Sequence, residues 1–170
     1  MNSRISKGYW IWGQFDANAT DLITSLYQEI NNKLNGPNFD IHLTISGPFN
    51  YDEEKQKEIF ELISSKFNEI DLQLKGISKT DEFFRSLFVD VAQNENLNNL
   101  KDYIDNNLNI NSFEYCPHIS LFYGIEDDAI KNKIIRKLKA PKSAIMDKIS
   151  IVKVDEEIKS WEVLKSYSLL

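Results

Sequence analysis

The sequence predicts an α+β fold of two pseudo-symmetric lobes, each an antiparallel sheet flanked by helices, enclosing a central cleft. Three observations lead there. Apolar stripes of helical period alternate with short runs of period two along all 170 residues. A unit of helix, histidine-bearing strand, glycine-containing turn and acid-started helix occurs twice, about 76 residues apart. No low-complexity or Pro/Ser-rich stretch separates the copies, so residues 1–170 are expected to form a single domain made of two lobes.

Gly8 to Phe15 is aromatic and apolar and predicts a strand. Asp16 to Thr20 offers several helix caps ahead of the stripe Leu22, Leu26, Ile30 and Leu34. The stop is expected at Asn35-Gly36-Pro37, built from a left-handed glycine and a proline that cannot continue the helix. Phe39 to Ser46 is the first histidine strand, closed by Gly47-Pro48. Tyr51-Asp52-Glu53-Glu54 then opens a helix to about Phe67, its acidic first turn complementing the helix dipole. Strands are predicted over Asp71–Ile77 and Ser86–Val91, separated by Lys79 to Arg85, followed by a helix over Glu95–Leu108. The second histidine strand runs from Tyr115 to Tyr123 and ends at Gly124, after which Glu126-Asp127-Asp128 starts a helix reaching Leu138. Alternation over Lys148–Val154 and the run Trp161–Leu164 predict a closing strand pair.

With 42% of residues hydrophobic and 12% aromatic, a sizeable core is available. The net charge of −6 argues against a protein that grips long nucleic acid by neutralising many phosphates. Lys131, Lys133, Arg136, Lys137 and Lys139 cluster on the last helix and read as a solvated face. No long apolar run suggests a membrane span, Met1-Asn2-Ser3-Arg4 leads into no signal-peptide core, and one cysteine, Cys116, cannot form an internal disulfide. The expectation is a soluble cytoplasmic protein with no membrane partner.

The only two histidines share one short frame, His42-Leu43-Thr44-Ile45 and His118-Ile119-Ser120-Leu121. On a strand, residues i and i+2 share a face, so each imidazole stands beside a hydroxyl, Thr44 or Ser120. If the halves pack about a pseudo-two-fold axis, His42 and His118 face one another across the cleft. Such a pair suits the opening of a cyclic phosphate, where one group deprotonates water while the other protonates the departing alkoxide. Histidine's ordinary pKa near 6.5 lets one ring be neutral and the other charged. Thr44 and Ser120 would donate hydrogen bonds to the phosphate oxygens, and neither a metal nor a cofactor is called for. A bell-shaped pH profile follows, with two apparent pKa values that belong to the pair. Other readings stay open. A lone histidine on an apolar strand is commonly a core residue, a zinc site would need more ligands than two histidines supply, and Cys116 two residues before His118 hints at a Cys-His nucleophile that is poorly aimed for proton transfer.

The repeated His-x-Thr/Ser-x resembles the defining motif of the two-histidine (2H) phosphoesterase superfamily, most of all its cyclic phosphodiesterases. Three stretches carry the likeness: Tyr9-Trp10-Ile11-Trp12, Ile41-His42-Leu43-Thr44-Ile45-Ser46-Gly47-Pro48-Phe49, and Cys116-Pro117-His118-Ile119-Ser120-Leu121-Phe122-Tyr123-Gly124. The resemblance implies metal-independent hydrolysis of a nucleoside 2',3'-cyclic phosphate or of an ADP-ribose cyclic phosphate. It implies His42 and His118 as acid and base, and Thr44 and Ser120 as phosphate-binding residues. Family members also place aromatic side chains around the pocket, which by position are Trp12, Tyr123 and Phe84. The small nucleotide is the expected partner, with short RNA or another oligonucleotide as a wider class. Within the same chemistry the alternatives are cleavage of 2'-5' oligonucleotides or cyclic oligonucleotides, or trimming of RNA ends. From another class, the chain could be a non-catalytic nucleotide-binding module.

Overall fold

The computed structural model describes residues 7–111 and 114–170. Among these residues, seven strands and four helices follow one another in the order β1 (Gly8–Phe15), α1 (Ala17–Asn31), β2 (Leu43–Phe49), α2 (Glu53–Lys66), β3 (Ile70–Lys79), β4 (Leu87–Val91), α3 (Glu95–Leu108), β5 (His118–Phe122), α4 (Asp128–Lys137), β6 (Ser143–Val154) and β7 (Glu162–Ser168). Short 3₁₀ turns occupy Phe83–Arg85 and Ile158–Ser160. All four helices start on an acidic or amide cap: Asp16, Asp52, Asn94 and Asp127 accept from the backbone N–H of Ala19, Lys55, Leu97 and Ala129. Each cap satisfies a donor that the first turn leaves open, a contribution of about 1 kcal/mol.

The strands pair antiparallel in the order β1-β2-β5-β4-β3-β6-β7, and a β1–β6 ladder closes the circuit. Two lobes result. In one, β1 lies between β2 and β6; in the other, β4 lies between β5 and β3. The long β6 serves both, since Ser143–Met146 pair with β3 while Met146–Val154 pair with β1. The histidine strands join the lobes through one residue pair, Leu43 opposite Ile119. Helices α1 and α3 cross over this junction: α1 precedes β2 yet packs on β5, and α3 precedes β5 yet packs on β2. The resulting core runs through both lobes, with Ile11, Ile23, Leu43, Val89, Leu100 and Ile119 fully buried.

Several elements depart from expectation. Leu22 is 50% exposed, and α1 instead buries Ala19, Ile23, Leu26, Tyr27 and Ile30. Its face is turned so that Tyr27 reaches the segment before His42, packing edge-on to Phe39 and meeting Asn38 through its hydroxyl. The helix also ends earlier, at Asn31, and its C-cap Asn32 keeps ordinary helical dihedrals. Gly36 is required for close approach rather than for handedness, because an added Cβ would lie 2.6 Å from the Phe122 ring. Gly47 does need its glycine conformation: φ is +140°, and a Cβ would meet the Trp10 ring at 2.7 Å. The first histidine strand starts at Leu43, one residue after His42, and continues through Gly47-Pro48 to Phe49. β6 begins five residues before Lys148, and β7 runs on to Ser168.

Candidate active site

Leu43 and Ile119, opposite one another and both fully buried, fix the orientation of their neighbours. Side chains alternate across a strand, so His42, Thr44, His118 and Ser120 turn to the other face. Because the strands run in opposite directions, Thr44 comes beside His118 and His42 beside Ser120. Trp12 of β1 lies opposite Thr44, and Phe88 of β4 lies opposite Ser120, extending the same face across four strands.

The two imidazoles are held alike. His42 Nδ1 is 2.7 Å from the Asp40 carbonyl oxygen, and His118 Nδ1 is 2.9 Å from that of Cys116. A carbonyl can only accept, so Nδ1 carries the hydrogen in each ring and Nε2 is the atom left for chemistry. The surroundings differ more. His42 is 5% exposed, with the Trp12 indole stacked on it at 3.6 Å and 8°. Burial pushes His42 down to about 4, aided by the charge of His118 and opposed by the Asp40 carbonyl. His118 is half-buried and edge-on to Phe88 at 5.3 Å. Burial lowers its pKa as well, with the Arg85 guanidinium adding to the effect and the Cys116 carbonyl, Glu82 and Asp90 opposing it.

Two recesses flank this face. One, of about 350 Å³, is lined by Thr44, Phe84, Arg85, Tyr115 and His118 among others. The second, of about 420 Å³, is walled by Trp12, Phe39, Asp40 and Trp161. Thr44, His118 and Phe84 therefore open on the first and Trp12 on the second. His42 lines neither and lies behind Trp12. Ser120 is 5% exposed; its hydroxyl donates to the Phe84 carbonyl at 3.2 Å and meets the Tyr123 hydroxyl. Tyr123 is itself buried, stacked on Phe39 at 3.8 Å, and burial raises its phenol pKa. It supports the wall rather than forming its surface.

The structure adds residues that sequence reasoning did not single out. Tyr115 donates its hydroxyl to the Thr44 carbonyl at 3.0 Å, tying the second half of the chain to the first motif. Behind it, Asp105 accepts from Ser46 and pairs with Lys101, both partners on α3 being buried. An i,i+4 lysine–aspartate pair reads as solvated in a sequence, and nothing local marks it as interior. Trp161 packs against Trp12, Phe84 and Tyr123, bringing the residue that leads into β7 to the site. Arg85 follows Phe84 in the loop between β3 and β4, where adjacency to an expected site residue was the available signal. Among the described residues, no three His, Cys, Asp or Glu side chains gather as a metal-ligand set. No helix among them is long and apolar enough to cross a membrane.

A two-lobed antiparallel α+β fold carrying a duplicated His-x-Thr/Ser array on adjoining strands defines a two-histidine phosphoesterase. The family described as "Cyclic phosphodiesterase-like protein" matches residues 12–169, and the chain belongs to it. Among solved structures, E. coli LigT in apo form is similar with a TM-score of 0.68 at 14% identity, over 96% of this chain and 97% of that one. E. coli LigT complexed with 3'-AMP gives 0.67 at 13% identity, over 96% and 98%. The protein TT0787 of Thermus thermophilus gives 0.66 at 11% identity, over 95% and 97%. At these identities the likeness is one of fold. No curated protein matches the chain by sequence.

Proposed function

We propose that this chain, acting as one two-lobed unit, hydrolyses the cyclic phosphate of a small nucleotide, a nucleoside 2',3'-cyclic phosphate or an ADP-ribose cyclic phosphate, with His42 and His118 as the acid–base pair. The observation that carries this reading is the matched tethering of the two rings. Each Nδ1 is hooked to a carbonyl two residues earlier, which leaves Nε2 as the reactive nitrogen of both rings, and the rings are near enough for the charge of His118 to act on His42. In the step, one neutral Nε2 takes a proton from water as its oxygen bonds to phosphorus. The bond from phosphorus to one ribose oxygen breaks, and the protonated partner delivers its proton to that oxygen. The phosphomonoester leaves with the proton inventory of the pair conserved.

Thr44 stands at the cavity surface to meet a non-bridging oxygen, and Ser120 would join it by exchanging its bond to Phe84 for one to phosphate. Phe84 and Trp12, one in each recess, suit the flat face of a base or the body of a ribose. Tyr123 contributes by bracing Ser120. The nucleotide ligand of the related LigT structure, 3'-AMP, supports a nucleotide as the class bound here.

Incubation with 2',3'-cyclic AMP in the presence of a chelator is expected to yield adenosine monophosphate. His42→Ala and His118→Ala should each lower kcat by roughly 100- to 10,000-fold with the fold intact. Turnover that needs added metal, or a small loss in either variant, would refute the paired mechanism. Binding of the nucleotide without product would identify a non-catalytic module instead.

A further inference from the structure

We propose that Arg85 is the phosphate-neutralising residue of this site, presented by a loop whose backbone is fixed for that purpose. The inference rests on the cyclic-phosphate reading, and it begins from a charge deficit. A cyclic phosphate is an anion, and attack at phosphorus concentrates further charge on its non-bridging oxygens. Two hydroxyls and the single imidazolium of the acid–base pair, which gives up its proton in the step, do not neutralise that charge, on a chain of net charge −6. The cavity that holds Thr44 and His118 has two cations in its wall, Arg85 and Lys101. Lys101 is committed to Asp105. Arg85 makes no ion pair among the described residues, including with Glu82 of its own loop, and its Nε is buried without a hydrogen-bond partner.

The guanidinium is positioned rather than loose. Its central carbon lies 4.5 Å from the centre of the Phe88 ring, and the same ring stands edge-on to His118 at 5.3 Å. Phe88 thereby touches both the cation and the imidazole, and the charge of Arg85 is felt by His118. The loop beneath is pinned at several of its carbonyls. Lys131 donates to Thr80 O at 2.8 Å, Gly124 N–H to Phe83 O at 2.9 Å and Thr80 Oγ1 to Arg85 O at 2.6 Å, none of which involves the Ser120 hydroxyl that turns to phosphate. With the backbone held in this way, only the side chain has to be ordered when an anion arrives. Arginine's planar fork can then meet two phosphate oxygens at once, which a lysine cannot do.

The test uses Arg85→Met and Arg85→Lys in the full chain, with melting curves to establish that each is folded. Inorganic phosphate is titrated into each protein by calorimetry, and 2',3'-cyclic AMP turnover is measured in parallel. Arg85→Met is expected to weaken phosphate binding at least tenfold and to lower kcat/KM by roughly 100- to 1,000-fold, as for loss of a donor to a developing oxyanion. Arg85→Lys should fall between, recovering binding more than kcat because it restores charge without the fork. A folded Arg85→Met that binds phosphate within twofold of the parent overturns the proposal, as does a parent protein that binds none. Absence of cyclic-nucleotide turnover in the parent would defeat the activity while leaving the phosphate titration to decide Arg85.

Discussion

His42 and His118 carry the same motif but do not occupy the same environment, and that inequality has a measurable outcome. Burial lowers both pKa values, His42 to about 4. A group pushed down loses its proton sooner as pH rises, so a step that needs one ring protonated is favoured on the acid side of 6.5 in the free enzyme. A bound phosphate anion acts in the opposite direction, favouring imidazolium and raising the pKa. The kcat/KM profile, which reports free enzyme, is therefore expected to peak below pH 6.5, and the kcat profile to sit at higher pH. Coincident profiles centred above pH 7 would contradict this. The motif itself was legible because an alternating strand must place residues i and i+2 together. Arg85 and Tyr115 were not, since each reaches the site across a tertiary contact that no local pattern records: a cation over Phe88 and a phenol on the Thr44 main chain.

Among the elements, α3 has the role least visible in its sequence. Its Lys101–Asp105 pair faces inward, and Asp105 also receives the Ser46 hydroxyl from β2, two residues beyond Thr44. Removing one partner leaves a buried charge without compensation. Asp105→Ala is expected to destabilise the protein by roughly 3–5 kcal/mol in urea unfolding, while Lys101→Met combined with Asp105→Leu should recover most of that loss. A loss below about 1 kcal/mol for the single variant would show the pair to be solvated, as exposed pairs are. The helix boundaries were readable because caps and acidic first turns are local chemistry. The face that α1 buries was less so, as Leu22 and Ile23 both fit a helical stripe and only the packing of Tyr27 against Phe39 selects Ile23. The start of β6 was hidden for a similar reason. Its first residues, Ser143–Asp147, mix buried Ala144 and Met146 with an exposed Ile145, so the alternation carries little contrast in hydrophobicity.

Over the whole molecule, the duplication seen as two histidine units corresponds to two lobes, but the lobes are interlocked rather than side by side. α1 packs on β5 and α3 on β2, each helix lying against the other copy's histidine strand. Sequence order alone could not anticipate this exchange, because adjacency along the chain favours packing on the neighbouring strand. Its thermodynamic expression should be a single transition. Trp10, Trp12 and Trp161 all lie in or next to the lobe in which β1 lies between β2 and β6, whereas the helices belong to both, so indole fluorescence and far-ultraviolet dichroism sample different regions. Their urea curves are expected to superimpose. Two separated midpoints would mean that the lobes unfold independently.

The sharing of β6 also limits how the two recesses admit anything. One end of that strand is bonded to β3 and the other to β1, so swinging the lobes apart would shear a continuous ladder in mid-strand. Jaw-like opening is thus disfavoured, and entry falls to the side chains at the rim: Phe84 and Arg85 on one bank and Trp161 on the other. Such a vessel has a stiff bowl and a stiff lip, and the breadth of molecules it accepts is set by the few side chains that can turn at its edge.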